Sequence, residues 1–110
     1  MDNKRLFINA WKRGIVASGM PGLFHCGDIV DKTSNLERLA PKVRDIGKRI
    51  HVYPKKQATF LAAMVSFYNP EEGAKLAKKV GCNGLGDIAS NITLEQRLII
   101  SDLLVNHTGW

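Results

Sequence analysis

The sequence predicts an all-α protein, a compact irregular bundle of four to six helices around a buried central helix at 57–68. Three observations predict it. Apolar residues recur at three- and four-residue spacing in the segments 3–16, 36–50, 71–80 and 94–105. Two of these segments open on strong helix-start signals, Asn69-Pro70-Glu71-Glu72 and Thr93-Leu94-Glu95-Gln96. The segment 57–68, just before the first of these starts, is apolar nearly all round its helical wheel, which demands burial on nearly all sides. The 110 residues, 45% of them hydrophobic and 24% charged, suit a single helical domain over 1–110.

The first helix gathers Phe7, Ile8, Trp11 and Ile15 on one face, and Gly14 is expected to loosen its end. Residues 18–35 carry Gly19, Pro21, Gly22 and Gly27 and read as a loop, with one short helical turn around Asp28–Val30. Leu36, Leu39, Val43, Ile46 and Ile50 then predict an amphipathic helix of about four turns, capped by Ser34 or Asn35. Pro41 falls inside it, on the side of the wheel expected to face solvent, so a kink near residue 40 is expected.

The central helix follows Tyr53-Pro54 and runs from Lys55 to Tyr68, and from Ala58 onward only Thr59 and Ser66 break its apolar surface, on its far side. Gly73, Leu76, Ala77 and Val80 give the next helix a narrow apolar stripe that Gly81 ends. A short turn is expected within 83–91. The last helix carries two apolar faces, Leu94, Leu98 and Val105 on one and Ile99, Ile100, Leu103 and Leu104 on the other. A helix of that kind is sandwiched in a core or shared with a second subunit. The terminal Trp110 is expected to be pinned, because leaving the ring in water forgoes about 2–3 kcal/mol.

Charge is the informative part of the composition. Residues 1–56 hold twelve Lys and Arg against five Asp and Glu, while residues 57–110 hold four against five. A basic half suggests an anionic partner, and nucleic acid is the first class to weigh. On the expected helix at 36–50, Arg38, Lys42 and Arg49 lie along one flank of the apolar stripe, and Arg44 and Lys48 along the other. Lys55 and Lys56 follow at the start of the central helix. These seven cations are the candidate nucleic-acid contacts. The competing expectation is a solvated helix face in which Asp45 pairs with Lys42 or Arg49.

Other chemistries find less support. Leu76, Ala77, Val80, Gly81 and Cys82 match the first helix and turn of a helix-turn-helix, but Gly84, Gly86 and Asp87 spoil the recognition helix. His25, Cys26, His51, Cys82 and His107 form no local chelate, so neither a metal nor another cofactor is expected. No phosphate-binding glycine motif or nucleophile signature occurs, and no catalytic residue is nominated. No apolar run approaches the ~20 residues of a membrane span and no leader pattern opens the chain, so no membrane partner and a cytoplasmic location with reduced cysteines are expected. The function expected is therefore a non-enzymatic binding module whose basic half docks on an anionic macromolecule. The alternative is a protein–protein adaptor or obligate homodimer that uses Ile99, Ile100, Leu103 and Leu104.

Overall fold

The computed structural model describes residues 2–110, with only the backbone of Asp28. Six α-helices occur among them: α1 (Asn3–Ser18), α2 (Val43–Arg49), α3 (Lys55–Tyr68), α4 (Pro70–Lys79), α5 (Leu85–Ser90) and α6 (Leu94–Val105). Short 3₁₀ turns at Pro21–Leu23, Gly27–Lys32, Leu36–Leu39 and Ile50–Val52 fill the connections. The protein is an all-α bundle, and no β-strand occurs among the described residues.

The hub is α3. Every residue from Ala58 to Val65 is buried, and Phe60, Leu61, Met64 and Val65 are wholly inside. Its single interior hydroxyl, on Thr59, lies 3.7 Å from the buried Cys82 thiol. The closest neighbour of α3 is α4, and Gly73 makes that approach possible. A Cβ at Gly73 would stand 2.4 Å from the Ser66 Cα. Asn69 separates the two helices and caps the second, its side chain accepting from the Glu72 amide at 3.1 Å. Pro70 follows at the first helical position, where its missing N–H is harmless.

On the other side α1 packs against α3 and α6. Asp2 caps it by accepting from the Arg5 amide at 3.1 Å, and Gly19 ends it in the left-handed region at φ 72°. The helix therefore runs past Gly14, contrary to the sequence expectation. Gly14 is buried mid-helix, where a Cβ would meet the Met64 side chain at 2.7 Å. Its missing side chain serves helix packing.

The expected four-turn helix at 36–50 is broken in two. Leu36–Leu39 forms a 3₁₀ turn, Ala40 is extended, and α2 begins only at Val43. Pro41 explains the break. It disfavours helical geometry at residue 40 and has no amide to donate. The chain there crosses residues 23–25 as a single antiparallel bridge between Phe24 and Pro41. His25 donates to the Ala40 carbonyl at 2.9 Å, and Lys42 donates to the Leu23 carbonyl at 2.8 Å. That pattern makes no use of the proline nitrogen. Pro41 is also buried, where the wheel placed it toward solvent.

The preceding turn is anchored from α1, since Trp11 Nε1 donates to the Leu39 carbonyl at 2.7 Å. Trp11 is the centre of an aromatic cluster. Phe7, Phe24 and Trp110 lie around it, Trp110 at a centroid distance of 4.6 Å. Tyr68 meets Trp110 edge to face, with centroids 5.0 Å apart. The chain end is thus pinned to α1 and to the end of α3.

At α6 the capping box is complete: Gln96 N donates to Thr93 Oγ1 at 3.1 Å, and Thr93 N donates to Gln96 Oε1 at 2.8 Å. Ile99 and Leu103 turn inward, and Arg13 of α1 pairs with Asp102 at 2.5 Å.

The close approach of α3 and α4 is testable. Gly73→Ala should lower stability by about 1–3 kcal/mol, because Ser66 backbone atoms must move to admit the methyl group. Gly86→Ala in α5, where nothing lies within 4 Å, should leave stability unchanged or raise it by up to about 1 kcal/mol. Urea unfolding followed by circular dichroism measures both.

Candidate polyanion interface

The seven nominated cations do not form one stripe. The break at Pro41 separates Arg38, exposed on its 3₁₀ turn, from the rest. Lys42 and Arg44 sit at the start of α2, where they line an open cleft of about 880 Å³ together with His25, Tyr68, Asp45 and Glu72. Its two carboxylates make the charge there mixed. Lys48 and Arg49 occupy the exposed last turn of α2, and Lys55 and Lys56 the exposed first turn of α3.

Tertiary contacts bring the second and third of these groups to one end of the molecule. Lys55 reaches the C-terminal end of α4, its ammonium donating to the Val80 carbonyl. Lys79, from that same end, lies 3.5 Å from the Gly47 carbonyl in the last turn of α2. The C-terminal ends of α2 and α4 and the N-terminal end of α3 therefore meet, bringing Lys48, Arg49, Lys55, Lys56 and Lys79 to one region. Lys79 is the member that sequence reasoning missed. Its position in the final turn of α4 invites a dipole explanation, and its approach to α2 leaves no local trace in the sequence.

Two features of this end bear on what it can do. None of its cations has a carboxylate partner among the described residues, where the ion pairs are Arg13–Asp102, Lys75–Glu71 and Lys75–Glu72. Asp45 forms no ion pair with Lys42 or Arg49. Lys55 and Lys56 also stand at the positive end of the α3 dipole, an unfavourable place for cations. Contact with the Val80 carbonyl relieves Lys55. Nothing comparable touches Lys56 among the described residues.

The nominated interface residues of α6 divide. Ile99 and Leu103 are buried within the chain's own core and have no surface to offer a second molecule, so that part of the sequence expectation is corrected. The reason is α1, which covers this side of the helix. Ile100 is half-buried and Leu104 is 55% exposed. Also exposed on α6 are Leu94, Leu98 and Val105, on the face opposite Ile99 and Leu103.

The soft side chains are dispersed. His107 packs on the Phe7 and Phe67 rings, with centroids 5.6 and 5.7 Å away. Cys26 and Cys82 are buried free thiols. No group of three His, Cys, Asp or Glu side chains able to hold a metal occurs among the described residues. The partial helix-turn-helix also fails in space, because α5 has six residues, none of them buried, and so lacks an anchored recognition helix. No helix among the described residues is long and apolar enough to cross a membrane. No family model, curated protein or solved structure matches the chain.

Burial pushes the Cys26 thiol above its ordinary range, against smaller lowering effects from its own backbone, Lys12 and Lys42. A thiol kept neutral in the fold ionises more readily in the unfolded chain. Its contribution to stability is full below the unfolded value, about pH 8.5, and declines as the pH rises through it. Stability should therefore fall more steeply above that pH in the natural chain than in Cys26→Ala. Denaturant titrations across the alkaline range measure the difference. Labelling by an aromatic disulfide reagent should await unfolding at both cysteines.

Proposed function

We propose that this chain is a non-enzymatic binding module that docks on a polyanion, nucleic acid above all, through the cationic end shared by α2, α3 and α4. The observation that supports the reading is the pair of contacts Lys79–Gly47 and Lys55–Val80, which joins the helix ends that carry Lys48, Arg49, Lys55 and Lys79, none of them paired with a carboxylate among the described residues. Gathering like charges costs self-repulsion, and phosphates would relieve it while releasing counterions. Lys42 and Arg44 extend positive charge to the other end of α2, though Asp45 and Glu72 temper it there. Arg38 lies beyond the Pro41 break and has no part in this face.

The test is binding to fluorescent single- and double-stranded oligonucleotides over a salt series. Affinity should fall with a log–log slope of about −0.7 to −0.9 per phosphate neutralised. A triple variant, Lys48→Ala, Arg49→Ala and Lys79→Ala, should make that slope shallower by about 2–3. Lys4→Ala with Arg5→Ala, on α1, should change it little. Absence of binding in low salt, or equal losses in both variants, sinks the reading.

A further inference from the structure

We propose that the outward face of α6 pairs with α6 of a second copy of this chain, the two helices running parallel about a two-fold axis. The reading is independent of polyanion binding and rests on a different part of the molecule.

The spacing of α6 explains the geometry. Gln96, Ile99 and Leu103 face the chain's own core. Leu94, Leu98, Ser101 and Val105 follow one another at intervals of four, three and four residues along the opposite side, and all are exposed. That is the a/d seam of a short coiled coil, with Leu98 and Val105 at a and Leu94 and Ser101 at d. Leu94, Leu98 and Val105 are 68%, 57% and 74% exposed. Exposure of this degree, repeated along a single stripe, forgoes burial that a partner helix would supply.

Charge selects both the occupant and its direction. In this register Arg97 takes position g, and Glu95 and Asp102 take position e. A parallel pair sets each g residue against the e residue five positions on in the other helix. Arg97 would therefore meet Asp102 of the second copy, twice per dimer. Both groups have capacity for that contact. Arg97 spends Nε on the Ala89 carbonyl at 2.9 Å, which orients its guanidinium and leaves the terminal nitrogens. Asp102 receives Arg13 on Oδ2, and its other oxygen is left to accept. An antiparallel pair would instead set e against e and bring Glu95 toward Asp102 of the other copy, which repel. The cationic end of α2, α3 and α4 contributes no residue to this seam, so the net charge of +6 does not oppose the approach locally. A seam of fewer than two heptads, with Ser101 in it, makes a weak and concentration-dependent dimer.

Sedimentation equilibrium over a concentration series should show a mass rising from 12.2 kDa toward twice that value. Leu98→Asp should hold the mass at 12.2 kDa with an unchanged circular dichroism spectrum. Arg97→Glu should weaken association by about three- to tenfold. Geometry has its own readout. Leu94→Cys alone should oxidise to a covalent dimer, because d residues of parallel helices face each other and the native thiols are buried. A constant mass of 12.2 kDa up to the solubility limit overturns the proposal. So does covalent dimerisation that requires Leu94→Cys and Val105→Cys together, the mark of antiparallel helices.

Discussion

Covering α3 on every side is the constraint on which the rest of the molecule depends. Eight consecutive residues, Ala58 to Val65, are withdrawn from water, and no single neighbouring helix can enclose a helix all round. The chain meets the demand with helices of different reach. α4 comes closest, over Gly73, and α1 packs across another side with Gly14 facing Met64. In each case a glycine in one helix admits the other, so the distance between helices is set by a missing side chain. α6 then closes over α1 with Ile99 and Leu103. Phe7, Phe24 and the terminal Trp110 are bound together around Trp11, whose indole also holds the Leu39 carbonyl.

Pro41 has a second influence, on charge. By ending the 3₁₀ turn at Leu39 and delaying α2 until Val43, it converts one long cationic helix into two short pieces. Arg38 is left on the first piece. The shortened α2 ends close to the last turn of α4 and the first turn of α3, and the cations of three segments meet there. Helix dipoles favour Lys48, Arg49 and Lys79 at C-terminal ends and disfavour Lys55 and Lys56 at an N-terminal one. The basic end is thus partly a consequence of ordinary helix electrostatics and partly a departure from it, and the departure is the stronger argument for an external anion.

α6 divides its apolar surface between two duties. Its inner side seals the bundle beneath α1, and the remaining leucines face outward in a regular register. The basic end and the outer seam of α6 draw on different residues, so a dimer formed through the seam would present two basic ends. Binding of a long polyanion by both would then be strengthened by effective concentration.

Local signals in the sequence determined most of the helices. The Asn69-Pro70 start, the Thr93–Gln96 box and the all-round apolar character of 57–68 each act within a few residues, so neighbours in the chain suffice to read them. Trp110 was legible as well, since its ring has too much apolar surface to leave in water. Three things belonged to the tertiary structure alone. Pro41 became a buried crossing because residues 23–25 lie beneath it. Lys79 joined the basic end through an approach to Gly47, 32 positions away. Ile99 and Leu103 went inward, and Leu94 and Leu98 outward, because α1 covers one side of α6. A helical wheel gives the faces of a helix but carries no information on which face a distant segment will cover. That choice comes from contacts between residues far apart in the chain.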